Sequence, residues 1–238
     1  MDYISEVYWD KGGRSVNQDS VSLQELWLRG EKAVLVLVCD GIGGLPGGEE
    51  ASGFVTEKMT EWFYREAAAM LAGRKHRGRI LQSGLRVLYT CNENFLRKFE
   101  EKGIKMGTTI TALLLYRGQY CLWHSGDTRA YRIRRRGAQM IQLTKDHTRG
   151  NHVLIRCIGS FAWQQPDTAC GRLGRKEVLL ICSDGFWNRL TEDRMGEALG
   201  SRGVIGREQL AVVLKELGEY VKRHGEADNI SAAAVKRI

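Results

Sequence analysis

The stretch VLVLVCDGIGG (34–44) decides how the chain is read. Six consecutive apolar residues, Val34 to Cys39, deliver Asp40 to their end, and a glycine-rich turn follows at once. A short unbroken apolar run closed by a turn signal is the pattern of a buried strand. Two phosphate-cradling loops begin in a similar way. A dinucleotide fingerprint would need glycine at 41, 43 and 46, but position 46 is Pro46. A P-loop would end in Gly-Lys-Ser/Thr, whereas this chain continues GGEEAS (47–52). What remains is a carboxylate at a strand end with Gly41 behind it, where backbone carbonyls can approach a cation.

A second run, VLLICSDG (178–185), repeats the design and ends in Asp184. Asp228 stands in EADNIS (226–231), immediately before another apolar run, and Asp19 and Asp127 stand in RSVNQDS (14–20) and HSGDTRAY (124–131). Any one of these acids alone is an ordinary turn former. Five at strand edges are harder to dismiss, because clustered carboxylates raise one another's pKa unless a cation neutralises them. No cysteine–histidine grouping suited to structural zinc accompanies them, and an all-oxygen set suits Mg²⁺ or Mn²⁺. The residues alone therefore lead as far as a hydrolase or phosphotransferase that uses one of these metals.

Around these acids the 238 residues fit one compact domain, 1–238, large enough to bury roughly 70–75% of the unfolded chain's surface. Helical spacing of apolar residues predicts helices from Ala51 to Met70, Leu81 to Phe99 and Leu210 to Val221. Strands are predicted at 33–39, 108–115, 119–123, 128–133, 178–182 and 230–235. The short YRG turn (116–118) and the break at Gly126 predict that 108–115, 119–123 and 128–133 are antiparallel neighbours. Strands clustered with short turns and helices grouped apart argue for an α+β fold, an antiparallel sheet layered under helices.

The net charge of +8 raises the question of nucleic acid. Its densest run is Arg132, Arg134, Arg135 and Arg136, where Tyr131 and Ile133 alternate with Arg132 and Arg134 as on a strand with one wet face. A solvated face accounts for that run, with attraction of phosphorylated partners as the functional alternative. The second cluster, Arg74, Lys75, Arg77 and Arg79, lies between two predicted helices and is expected to be merely exposed. Cys39, Cys91, Cys121, Cys157, Cys170 and Cys182 form no C-x-x-C pair and are expected to be small core residues. The start, MDYISEVYWDKGGR (1–14), does not read as a signal peptide, and no run reaches the ~18 apolar residues that cross a bilayer. A cytoplasmic, reduced location without a membrane is expected.

Taken in order, RSVNQDS (14–20), DGIGGLPGGEEAS (40–52), MGTTITALLL (106–115), GDTRAYRIRRRG (126–137), LTKDHT (143–148), LIRCIG (154–159), CSDGFWNRL (182–190) and ADNISAAAVK (227–236) resemble the PPM family of metal-dependent protein phosphatases, also called type 2C, in its bacterial form. The resemblance implies a sandwich of two antiparallel β-sheets flanked by helix pairs, with the metal site at one end. It implies that Asp40 bridges two Mn²⁺ or Mg²⁺ ions, that the Gly41 carbonyl binds one of them, and that Asp184 and Asp228 hold the other. Asp19 would act mainly through water, and Asp127 with Asp184 matches the position of a third, looser metal. Arg14 matches the arginine that clamps the substrate phosphate, which suits the bidentate geometry of a guanidinium. The implied reaction is direct hydrolysis of phosphoserine and phosphothreonine in proteins by an activated water, without a phosphoenzyme.

Two departures from the family pattern stand out. Ile42 occupies the position where some members carry a histidine proposed as general acid, which leaves His124 as a candidate for that role. Only Thr148 to Val153 separate LTKDH from LIRCIG, where members usually carry a helical flap, so a deleted flap and a more open site are expected. The expected partners are phosphorylated proteins and a cognate Ser/Thr kinase pathway, with no nucleic acid, and the chain is expected to act as a monomer. Two alternatives are a catalytically inactive binding module on the same fold, and a two-metal phosphodiesterase or nuclease, which would bind polynucleotide in a salt-sensitive way.

Overall fold

The computed structural model describes residues 2–42, 47–134, 139–150, 153–159, 162–201 and 203–238. Gly43, Gly44 and Pro46 of the glycine-rich turn and Arg135 and Arg136 of the basic run lie outside the described residues.

Two five-stranded antiparallel sheets face each other. One runs in the order β1 (Tyr3–Asp10), β12 (Ile230–Arg237), β11 (Val178–Cys182), β6 (Arg129–Ile133), β7 (Met140–Gln142). The other runs β10 (Asp167–Arg172), β5 (Gln119–Ser125), β4 (Ile110–Tyr116), β3 (Glu31–Asp40), β2 (Asp19–Leu28). A small hairpin, β8 (Thr148–Arg149) with β9 (Val153–Leu154), stands apart from both.

The unbroken apolar runs follow from this layering. Val34, Val36 and Val38 of β3 point into the space between the sheets, where they meet Leu179 and Ile181 of β11 and Val235 of β12. Leu35, Leu37 and Cys39 point the opposite way, with Met59, Trp62, Leu88 and Phe95 of the helices that cover this sheet. A strand buried on both faces cannot alternate apolar with polar, so the period-two signal disappears. β11 repeats the arrangement, with Leu180 and Cys182 facing Leu210, Leu214 and Leu217 of the helix layer on the other side.

The covering helices are α1 (Gly48–Trp62), continued through a π-helical turn (Phe63–Ala67) into α2 (Ala68–Ala72), and α3 (Arg77–Lys102) on the β3 sheet. On the other sheet lie α5 (Glu192–Gly200) and α6 (Arg207–Arg223), preceded by the single turn α4 (Asp184–Trp187). The three predicted helices are present, the first with the π turn inside it. No helix of the described residues is long and apolar enough to cross a membrane.

One predicted pairing is wrong. β5 and β6 are not neighbours: β5 pairs with β4 and β10, whereas β6 pairs with β11 and β7 in the other sheet. The chain crosses between the sheets at Gly126. A short connection can join two layers as well as two neighbours, and the sequence does not separate these cases. The cysteine expectation holds for five residues but not for Cys170, which is exposed on the edge strand β10 opposite Cys121, with the sulfurs 3.6 Å apart. Arg132 and Arg134 do stand on a wet face, where Arg132 forms a forked ion pair with Glu177 at 2.7–3.0 Å. Among the described residues no helix lies between His147 and Asp167, as the short sequence there predicts.

Candidate metal centre

The five aspartates meet at one end of the sandwich. Asp40 ends β3 and Asp19 begins β2, and the two are direct partners across the ladder. The backbone of Asp40 is held from both sides. Its N–H donates to the Thr109 hydroxyl at 2.9 Å, and its carbonyl accepts from Thr109 N–H at 2.8 Å and from the Thr108 hydroxyl at 2.9 Å. Next to it, Gly41 N–H donates to the Gln18 carbonyl at 3.1 Å. A Cβ on Gly41 would lie 2.3 Å from the carbonyl oxygen of Gly48, so only glycine lets the first turn of α1 approach this strand end.

Asp184 opens α4, and its Oδ1 accepts from Gly185 N–H at 2.7 Å. A Cβ on Gly185 would lie 2.1 Å from the Asn229 carbonyl oxygen, which shows how tightly the turn bearing Asp184 is pressed on the turn bearing Asp228. Asn229 ties in a third segment. Its Nδ2 donates to the carbonyls of Lys11 at 2.8 Å and Val16 at 3.1 Å, and its Oδ1 accepts from Gln18 N–H at 2.8 Å. The loop held in this way carries Arg14, whose Nε and Nη2 donate to the two carboxylate oxygens of Asp228 at 2.9 and 2.7 Å.

The electrostatics are those of an acidic cluster. Asp19 is 3% exposed, and neither of its carboxylate oxygens has a hydrogen-bond partner. Burial pushes its pKa up to about 7. The nearby Ser231 and Ser183 hydroxyls oppose the rise, and the charges of Asp184 and Asp228 add to it. Asp127, 7% exposed, is likewise raised to about 7 by burial and by Asp184. Burial and the charges of Asp19, Asp184, Asp127 and Asp228 hold Asp40 well above the usual carboxylate range, and burial with Asp228 raises Asp184. Four of the five acids, Asp19, Asp40, Asp127 and Asp184, are thus raised in part by carboxylates of the same group. Among the described residues, however, no three acidic, histidine or cysteine side chains form a ready-made ligand shell.

Such a cluster fits a hard divalent cation. Its donors are all oxygen, the carboxylates are destabilised as anions, and Asp19 presents two buried oxygens that lack well-formed hydrogen bonds even with Ser183 and Ser231 nearby, a costly state that a cation would relieve.

The candidate general acid fails. His124 is 1% exposed, accepts from the Thr111 hydroxyl at Nδ1 (3.0 Å) and faces the Lys145 carbonyl with Nε2 (3.0 Å). Burial and the adjacent His147 lower its pKa to about 4, so the ring is neutral and fully engaged in packing.

Other residues support the centre without having been singled out in the sequence. Thr108, Thr109 and Asn229 lie inside the quoted motifs, and only their contacts reveal their work. Asp146 accepts a forked pair of bonds from Arg129, whose guanidinium lies 3.3 Å over the Trp187 ring, and Trp187 Nε1 donates to the Asp127 carbonyl at 3.3 Å. That chain of contacts braces the segment bearing Asp127.

Comparison with known proteins agrees with this geometry. The model of the family described as Protein phosphatase 2C matches residues 12–217. The serine/threonine phosphatase stp of Listeria innocua is 27% identical over 259 aligned positions, covering 98% of this chain and 95% of that protein. The alignment is longer than this 238-residue chain, so the relative carries insertions that this chain lacks. Among solved structures, the serine/threonine phosphatase of S. agalactiae superposes with a TM-score of 0.84 at 22% identity, covering 100% of both chains. The catalytic domain of the serine/threonine protein phosphatase PstP in complex with two manganese ions superposes with a TM-score of 0.76 at 25% identity, covering 98% of this chain and 97% of that one. With the family model spanning most of its length and the two-sheet architecture shared, the chain belongs to the protein phosphatase 2C family.

Proposed function

We propose that this protein phosphatase hydrolyses phosphoserine and phosphothreonine in proteins with two Mn²⁺ or Mg²⁺ ions held by Asp40, Gly41, Asp184 and Asp228, and without a phosphoenzyme. Asp19 supports them from the opposite strand, and Asp127 with Asp184 offers a third, weaker position. The observation that carries the reading is Asp19. Its carboxylate is buried with both oxygens unpartnered, directly across from Asp40, in a cluster whose repulsion calls for a cation.

The cations would lower the pKa of a water towards neutrality, so that it can attack phosphorus at physiological pH. The side chains do the rest. Water adds to phosphorus, the bond from phosphorus to the serine or threonine oxygen breaks, and that oxygen leaves with a proton from solvent, since Ile42 and the buried His124 offer none. Arg14 must exchange Asp228 for two phosphoryl oxygens, and its exposure leaves it free to turn. The buried cysteines do not compete as nucleophiles: burial holds Cys39 and Cys91 up at about 12, far from thiolate at neutral pH.

The substrates are phosphorylated proteins of a Ser/Thr kinase pathway. Six free cysteines favour a reducing, cytoplasmic setting, and the chain acts as a monomer. The test is hydrolysis of an aryl phosphate and of a phosphothreonine peptide, with Mn²⁺ and then with excess chelator. Both activities should vanish with chelator and return with metal. Turnover that persists in chelator would overturn the reading.

A further inference from the structure

The sheet that ends in Asp40 carries a second concave site at its other end, and its charge is opposite. A cavity of about 180 Å³ opens between the β4–β5 turn and the start of α3. Leu71, Ile80 and Leu114 give it an apolar floor, and all three are buried. Arg74, Lys75, Arg77 and Arg117 stand around it, and no acidic side chain is among the described residues that line it. β3 places this cavity relative to the acidic cluster. Ala33 pairs with Tyr116 beside the cavity, and seven residues later the strand ends at Asp40, roughly 23 Å away at about 3.3 Å per residue.

Two features set this basic group apart from an ordinary solvated turn. Arg74 and Arg117 both hold left-handed backbone, φ 54° and 52°, which glycine or asparagine adopts at less cost. Arg29 does the same in the β2–β3 turn, so the conformation alone does not mark Arg117. Its side chain does. Arg117 Nε is shielded from solvent and has no hydrogen-bond partner, a costly state for a donor, although the Glu31 carboxylate lies near enough to feel its charge. Arg77 is half-buried at the start of α3, the end of a long helix that favours an anion.

We propose that this cavity binds a small organic phosphate, its head held by Arg117, Arg77 and Arg74 and its apolar body seated on Leu71, Ile80 and Leu114. Clustered guanidiniums without a lining carboxylate favour a doubly charged head, and planar forks match phosphoryl oxygens. A cavity of about 180 Å³ suits a small ligand such as a phosphate with a ring.

The test uses phenylphosphonate, which a phosphatase cannot hydrolyse, titrated calorimetrically into the metal-free protein so that the acidic cluster offers no competing site. One equivalent should bind. Arg117→Gln with Arg77→Gln should weaken it roughly tenfold or more, as expected for lost charged hydrogen bonds, and Arg74→Gln, on an exposed turn, should weaken it by itself. Arg14→Ala should leave it unchanged. Benzoate, with the same ring and one charge, should bind more weakly. The proposal is overturned by the absence of binding at millimolar phenylphosphonate, by binding that survives the Arg77, Arg117 and Arg74 changes, by loss of binding in Arg14→Ala, or by benzoate of equal affinity. Failure of metal-dependent hydrolysis would not bear on these outcomes.

Discussion

Asp19 and Asp40 are direct partners across the β2–β3 ladder, two carboxylates side by side where a sheet normally places apolar or oppositely charged pairs. The arrangement is unfavourable in the metal-free fold, and on the proposed reading a cation relieves it. Asp40→Asn keeps the shape and removes one charge. We expect it to raise the melting temperature in chelator by about 2–4 °C, equivalent to about 1 kcal/mol for a chain of this size, while abolishing phosphopeptide hydrolysis. Calorimetry in EDTA and an activity assay in Mn²⁺ read the two effects. A variant less stable than the parent in EDTA would mean that the carboxylate contributes something other than repulsion.

The same cluster sets a pH dependence with a definite sign. Asp19 and Asp127 are raised from 3.8 to about 7, so between about pH 4 and 7 the folded metal-free protein binds more protons than the unfolded chain. Their contribution is fully present below the unfolded pKa and is lost as pH rises through the folded one. On the proposed reading a bound cation would take the place of those protons. The rise in melting temperature produced by saturating Mg²⁺ should therefore be larger at pH 7.5 than at pH 5. Equal rises at the two pH values would show that these carboxylates are not where the metal acts.

Arg14 is engaged with Asp228 before any substrate arrives. On the proposed reading, Arg14→Ala would take the clamp from the phosphate and a competing cation from Asp228. Hydrolysis of a phosphothreonine peptide should fall by about 10²-fold in kcat/KM, whereas Mg²⁺ affinity should hold or improve. Arg14→Lys should not restore the rate, because an ammonium lacks the fork. Weakened metal binding in Arg14→Ala would assign the residue a structural role at the centre instead.

The short segment between His147 and Cys157 bears on substrate choice. Among the described residues the β8–β9 hairpin and no helix lie between His147 and Asp167, so an open approach to the centre is expected. A panel of phosphothreonine peptides with varied flanking residues should be hydrolysed within about tenfold of one another, since without a covering element no pocket contact of about 1–3 kcal/mol tells them apart. Narrow selectivity across the panel would point to a covering element supplied by some other part of the chain.

How far the sequence reaches depends on what each residue faces. Asp40 and Asp184 are legible because an all-apolar strand can end in a charge only at the edge of the fold, and both β3 and β11 are buried on two faces. β1, β2 and β10 escape notice because each has a wet face that mixes charged with apolar residues, as in DTACGR of β10. The crossover at Gly126 is visible as a break but not as a change of sheet. The role of Asn229 is hidden for a different reason: a side chain that stitches three backbone segments has no periodic signature, and its partners at Lys11, Val16 and Gln18 are more than 200 positions away.

That stitching makes Asn229 the sharpest test of how the centre is assembled. It is 5% exposed, and both ends of its amide are used, two donors on the carbonyls of Lys11 and Val16 and the oxygen on Gln18 N–H. Asn229→Ala removes all three bonds from a half-buried loop, a loss of about 2–3 kcal/mol at about 1 kcal/mol each. Because the loop that is freed leads directly into Asp19, and Asp228 is the adjacent residue, metal affinity should fall along with stability, by about tenfold or more as for other residues that orient ligands. Asn229→Asp keeps the acceptor for Gln18 but loses the donors and adds a sixth negative charge, so it should be at least as damaging to the metal-free fold. A drop in stability with Mg²⁺ affinity unchanged would separate the fold from the centre and show that the loop is held by other contacts.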